Sequence, residues 1–270
     1  MQQPQQIDER LSFLSRLIEQ APPAVRLDFE KRLDLSWIHH DSALEGTVYT
    51  PSELIPAIKG APPPDASLVA TYDEIRQNKA ALDLVREMAT RKRFKLDMDA
   101  IRDLYGCLAP DEVEGKKPPQ YRKDMPVHRL YFHDIATPDK ILPKLKQFVE
   151  WVNSPETRKS THTVRLAAKS HFYLLHIYPY PKHSGKVGRL VMNLLLLQAG
   201  YPPAIIHATE RHRYYEALKS NENAVAQVVR EALETSIESA VRFFEQYAPP
   251  PEQPKKRNSA RPKSARAARA

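Results

Sequence analysis

Two apolar helical stretches separated by a short polar loop constrain this chain more than any other feature. Residues 164–178 carry helical apolar spacing and stop at Tyr178-Pro179-Tyr180-Pro181, where proline ends the helix. Residues 187–199 resume as an apolar run, and within 190–199 only Asn193 and Gln198 interrupt it. That stretch is about half of what a bilayer span needs, so it predicts a helix buried in a protein core, with no membrane span. Gly200-Tyr201-Pro202-Pro203 closes it. The loop in between, Lys182-His183-Ser184-Gly185-Lys186, is therefore held from both sides by buried helices.

Helical periodicity dominates the rest of the body. Ile7, Leu11, Leu14, Leu17 and Ile18 form one apolar face, and residues 27–44 form a second amphipathic stretch with Leu33, Trp37 and Leu44. Thr50-Pro51-Ser52-Glu53 is a capping box with proline at the first helical position, starting a short helix that ends near Gly60. Residues 61–65 read as a linker, followed by helices over 67–91, 98–108, 139–152, 210–220 and 224–247. Residues 125–135, where Val127, Leu130, Tyr131 and Phe132 lie between Pro126 and Pro138, predict a small β-hairpin. The expected architecture is an all-α bundle with one hairpin.

Charge is unevenly placed. The chain carries a formal +8, and residues 249–270 hold seven basic residues against one acid, Glu252. The body is thus close to neutral and gives no general argument for nucleic-acid binding. The Pro/Ala/Arg/Lys tail predicts a disordered basic segment, suited to nucleic acid, to an acidic surface, or only to solubility. One cysteine, Cys107, excludes an internal disulfide framework and a Cys-rich zinc site. Seven glycines argue against glycine-loop dinucleotide folds. The first ten residues lack the basic flank and apolar run of a secretory signal, which together with the cysteine usage predicts a cytoplasmic protein.

Two glycines, Gly185 and Gly188, lie within the loop and the first turn of the following helix, beside Lys182, His183, Lys186 and Arg189. Glycine lets backbone approach a ligand closely, and a helix N-terminus offers unpaired N–H groups and partial positive charge. With the cationic side chains this is the chemistry of a phosphate cradle. The simpler alternative is a solvated basic loop; the rigid apolar helices on both sides favour the anion site.

At these residues the sequence resembles the Fic or Fido-domain family, whose motif is HPFx(D/E)GNGRxxR followed by an LLMN-like helix start and a Gly-Tyr-Pro-Pro element. Arg189-Leu190-Val191-Met192-Asn193 and Gly200-Tyr201-Pro202-Pro203 align that motif without gaps to residues 178–189. The segment from Glu74 through Asn78 to Leu82, the pair Tyr121-Arg122, and the approach through Ala167, Ala168 and His171 resemble the family as well. Residues 211–218 resemble the part that closes over the nucleotide base, which implies base-side roles for Tyr214 and Tyr215. The resemblance spans roughly residues 35–245 and implies a Fic/Fido helical bundle with a hairpin flap. It also implies a division into an N-terminal helical region (1–64), a core (65–248) and the tail (249–270).

Members of that family transfer AMP from ATP to a Ser, Thr or Tyr hydroxyl of a protein target, which the resemblance would dock at the 125–135 hairpin. Carried over, Pro179, Gly185, Gly188 and Arg189 remain, and much of the rest is changed. Tyr178 stands where the basic His belongs, and a phenol with an ordinary pKa of about 10 is a poor base at neutral pH. Lys182 replaces the metal-binding acid, His183 a glycine, Ser184 the asparagine and Lys186 the first arginine. An ammonium repels Mg²⁺, so the motif is not expected to hold it; the same change lets Lys182 serve as a built-in counterion to a polyphosphate. His183 is the alternative base, with an ordinary pKa near neutrality. His171 and His176 are five residues apart, off a common helix face, and make a poor metal pair.

The family often carries an inhibitory (S/T)xxxE(G/N) motif. Asp41-Ser42-Ala43-Leu44-Glu45-Gly46 is similar, with Asp41 in the first position, and predicts a contact of Glu45 with Arg189. Three readings follow. The first is a Fic-fold protein with a degenerate motif that binds ATP, another nucleotide or a related phosphate ligand, AMP transfer being weak, altered or absent. The second is an active transferase of non-standard chemistry. The third is a non-enzymatic protein-interaction module.

Overall fold

The computed structural model describes residues 3–113, 120–126 and 133–248. Its N-terminal half runs through α1 (Gln3–Gln20), α2 (Pro23–Leu44), α3 (Pro51–Ile58), α4 (Val69–Thr90), α5 (Met98–Leu108) and the single turn α6 (Pro110–Val113). The remainder comprises α7 (Pro138–Asn153), α8 (Pro155–Ser160), α9 (Thr163–Ile177), α10 (Ser184–Gln198), α11 (Arg211–Ser220) and α12 (Glu222–Glu245). No strand occurs among the described residues, so the body is all-α. The expected hairpin falls mostly on residues 127–132, which lie outside the described residues, as does the basic tail; Met125, Pro126 and residues 133–135 beside it have no strand structure.

α9 and α10 form the centre. α9 packs on α10, α12 and α7, and α10 also packs on α4 and α5, while α1 lies on α12 and α2 on α4. Residues 184–196 of α10 are buried without a break, the pattern of a helix surrounded on every side. Prolines and caps set the boundaries, among them the capping box anticipated from the sequence. Thr50 and Glu53 exchange their capping-box bonds, with the Thr50 N–H donating to Glu53 Oε2 at 2.7 Å. Asp97 caps α5 through the Ala100 N–H at 2.7 Å. Asn193, which looked like a flaw in an apolar run, accepts from the Ala204 N–H at 2.8 Å and so ties the chain after α10 back to its core helix.

Close approach at the centre depends on Gly188. A methyl group there would lie 2.3 Å from Leu175 Cδ1 and 3.2 Å from His171 Nδ1. Gly188→Ala is therefore expected to cost about 1–3 kcal/mol through overpacking, read as a lower urea midpoint with an unchanged m-value.

Candidate functional site

The turn from α9 to α10 is built by two residues in left-handed conformation. Tyr178 ends α9 with φ +48 and His183 starts α10 with φ +56, a region uncommon for side chains other than glycine, asparagine, aspartate and histidine. Ser184 closes the loop between them. Its Oγ accepts the Tyr180 N–H at 2.8 Å and donates to the Tyr180 carbonyl at 2.9 Å. The Tyr180 ring is buried and stacks on Tyr105, centroids 3.8 Å apart with planes 2° from parallel. The helix thus begins at Ser184, earlier than the sequence suggested, and Ser184, Gly185 and Lys186 belong to its first turn instead of to a loop. Lys and Gly side by side read as loop chemistry, but tertiary burial overrides that weak propensity.

Tyr178 is buried at the C-cap of α9. Its carbonyl accepts Arg122 Nε at 2.7 Å, and the Arg122 N–H donates to the Pro179 carbonyl at 3.0 Å. Lys182, the expected counterion, is exposed, its side chain at 67%, and lies 3.6 Å from Glu112. Lys186 is instead enclosed, only 2% exposed. Its ammonium donates to Asn78 Oδ1 at 3.0 Å, Ser42 Oγ at 3.3 Å and Glu74 Oε1 at 3.4 Å, which joins α10 to α2 and α4. His183 is partly covered; burial, then the nearby Lys186 ammonium, holds its imidazole below the ordinary value, so it is neutral at pH 7.

Arg189 is the electrostatic centre. Its guanidinium is buried and donates through Nη2 to Glu45 Oε1 at 2.8 Å, through Nε to Asp41 Oδ1 at 2.5 Å, and through Nη1 to the Tyr214 hydroxyl at 3.3 Å. Burial opposes its charge, but Asp41 and then Glu45 outweigh that and hold it well above its ordinary pKa. The Glu45–Arg189 contact read from the sequence is thus present in the geometry. Glu45 also lies over the start of α10: a methyl group on Gly185 would sit 2.3 Å from Glu45 Oε1. A carboxylate from the end of α2 therefore occupies the space beside the helix N-terminus where an anion would bind.

The two tyrosines expected beside a nucleotide base surround this contact. Tyr214 is fully buried, its hydroxyl 2.9 Å from His171 Nε2, and Arg189 lies over its ring at 5.9 Å. Tyr215 donates its hydroxyl to the Leu44 carbonyl at 3.1 Å, and Arg211 Nε donates to the same oxygen at 2.9 Å. Both bonds cap the last turn of α2, whose terminal carbonyls lack helical partners. Sequence reasoning missed Asp41 as a partner of Arg189, although its place one helical turn before Glu45 was a usable signal. It also missed the stacked pair His40 and His207, centroids 4.3 Å apart, for which nothing local gave a sign.

The groups at the start of α10 fit a phosphate: a helix N-terminus, a glycine that admits close approach, and a buried arginine already paired with a carboxylate. They do not fit a divalent cation. The position that would supply a metal-binding acid carries the Lys182 ammonium, and among the described residues no group of three or more His, Cys, Asp or Glu could hold a metal.

Comparison with known proteins agrees with the helical fold. Residues 95–196 match the model of the Fic/DOC family. The protein named protein adenylyltransferase Fic of Drosophila virilis is 29% identical over 229 residues, covering 83% of this chain and 45% of its own length. That of Aedes aegypti is 27% identical over 206 residues, covering 74% and 40%. The chain thus spans less than half the length of the curated relatives it matches. Among solved structures, a Fic-domain-containing signalling protein from Bacteroides thetaiotaomicron shares the fold with a TM-score of 0.75 at 20% identity, covering 90% of this chain and 97% of that one. Fic-1 from C. elegans does so with a TM-score of 0.72 at 19% identity, covering 90% and 74%. The motif segment thus lies inside the residues that match the Fic/DOC family, and the chain shares the fold of solved Fic proteins over 90% of its length.

Proposed function

We propose that this protein binds a nucleotide, ATP or a relative of it, by its phosphates at the start of α10, in competition with Glu45. AMP transfer to protein hydroxyls is weak, altered or absent in this reading. The observation that carries it is the Glu45 carboxylate lying between Gly185 and Arg189, an anion already seated where the site's charge and open backbone favour one. The relatives' name, protein adenylyltransferase, supports ATP as the nucleotide and a protein hydroxyl as the acceptor. Against ordinary transfer stands Tyr178 in place of the base, and against metal-assisted phosphate binding stands Lys182. His183 is the one neutral imidazole in the turn itself, and any residual proton transfer falls to it. Residues 1–64 then act as an inhibitory region on a core of 65–248; the 125–135 segment serves as the place for a protein target, and the basic tail contacts acidic surfaces or nucleic acid.

Calorimetric titration with ATP, with and without Mg²⁺, tests the reading. Glu45→Gly is expected to tighten binding about tenfold, equivalent to about 1.4 kcal/mol, because a carboxylate and a phosphate compete for one guanidinium. Mg²⁺ is expected to add little. No heat from wild type or Glu45→Gly under either condition sinks the nucleotide reading in favour of an interaction module. Nucleotide added to the protein or to a target, seen by intact mass, replaces it with an active transferase.

A further inference from the structure

We propose that Asp41, and not Glu45, is the residue that fixes Arg189 and balances its charge, so that withdrawal of Glu45 leaves the guanidinium in place and still neutralised. This deepens the reading of the phosphate site above and rests on it for its consequence, though not for its geometry.

Two contacts to Arg189 come from Asp41 alone. Its Oδ1 accepts Nε at 2.5 Å, and its backbone carbonyl accepts Nη2 at 3.3 Å. Glu45 accepts Nη2 through Oε1 at 2.8 Å. The Asp41 side chain is also the less exposed of the two, 11% against 23%. Their positions on the chain differ in a way that matters more. Asp41 lies inside α2, where the backbone is held by helical hydrogen bonds, whereas Glu45 is the residue after the helix and precedes Gly46, whose φ is +99. A rearrangement at residues 45–46 would carry Glu45 away and leave Asp41 where it is.

The chemistry of the first motif position makes the difference specific to this chain. A hydroxyl there, as the resembled motif has, would accept a hydrogen bond but bring no charge. Asp41 brings a buried negative charge to the guanidinium. An incoming phosphate therefore meets two separate obstacles: Glu45 fills its place beside Gly185, and Asp41 has already consumed the attraction of Arg189. Asp41 is accordingly a positioning residue that acts through Arg189. Removing Glu45 clears the space, and removing Asp41 as well releases the charge.

The test reads Arg189 directly. In protein carrying ¹⁵N-arginine, the Arg189 Nε–H signal is assigned by its loss in Arg189→Lys, and its hydrogen exchange is followed in wild type, Glu45→Gly, Asp41→Ser and Asp41→Asn. Glu45→Gly is expected to leave exchange within about threefold of wild type, while the Asp41 variants accelerate it at least tenfold. A tenfold or greater acceleration in Glu45→Gly overturns the proposal without any Asp41 variant having to fold. A parallel titration with inorganic tripolyphosphate is expected to give at least tenfold tighter binding for Asp41→Ser/Glu45→Gly than for Glu45→Gly, and equal affinities overturn the charge-balancing role. If no variant binds tripolyphosphate or ATP, the nucleotide reading fails, and the exchange rates alone decide the place of Asp41.

Discussion

Arg122→Ala is expected to destabilise the protein by about 3 kcal/mol, within a range of about 2–5, measured as the loss of unfolding free energy in urea. Arg122 is only 5% exposed and spends its guanidinium on main-chain carbonyls. It donates to Tyr178 O at 2.7 Å, Asp124 O at 3.1 Å, Ile177 O at 3.4 Å and Ala136 O. The Tyr178 and Ile177 oxygens belong to the end of α9, where carbonyls have no helical donors and the helix dipole favours a cation. Truncation removes these donors together and leaves buried acceptors that water reaches poorly, the costly side of the hydrogen-bond asymmetry. Arg122→Lys should recover part of the loss, since it keeps the charge but gives up the planar fork. A loss below 1 kcal/mol for Arg122→Ala would mean that water or a neighbouring side chain takes over its role. Because the same residue ties its own segment and Ala136 to the motif turn, the variant should also raise amide exchange at Tyr178 and Tyr180 before global unfolding.

Acidification from pH 7 to pH 4 is expected to be nearly as damaging. Burial first, and the Arg189 cation second, push His171 down to about 3; burial first, then His207 and His39, push His40 down to about 4. Both folded-state values lie below the unfolded value of about 6.5, so the unfolded chain takes up protons first as pH falls. The stability these neutral imidazoles contribute is complete above pH 6.5 and is lost progressively towards their folded values. For His171, which is fully enclosed, the loss at pH 4 is on the order of 3 kcal/mol. His40 is half-buried and its share is screened, but it adds in the same direction. Its Nδ1 accepts the Ala208 N–H at 3.3 Å, a bond that a proton on that nitrogen would abolish. Urea unfolding at pH 7.5, 6.0 and 5.0 checks this, since most carboxylates titrate below that window; a flat profile contradicts it.

The sequence made the core legible where a single cause sufficed. The two apolar stretches gave α9 and α10, the capping box gave α3, and the prolines after Tyr178 gave the break between the central helices. What stayed hidden depends on contacts distant along the chain. Lys186 looks like a loop cation beside Gly185, and only burial by Ser42, Glu74 and Asn78 turns it into an internal tie. Lys182, equally plausible as a phosphate partner, lies exposed next to Glu112. Local pattern does not tell the two lysines apart, because their difference is set by elements more than a hundred residues away for Lys186 and by Glu112, 70 residues away, for Lys182. Glu45 was readable because its role in the resemblance is tied to one named partner. Asp41 was not, because it was compared with a motif letter and not with the charge it would meet.

Tyr215 and Arg211 place two donors on a single oxygen, the Leu44 carbonyl, and this makes the end of α2 and the start of α11 one mechanical unit. Whatever shifts α11 strains the cap of α2, and whatever frees α2 leaves two side chains of α11 without their acceptor. Linkage then runs both ways with equal free energy: anything that favours a moved α11 weakens the α2 cap by the same factor that loosening of the cap favours the moved α11.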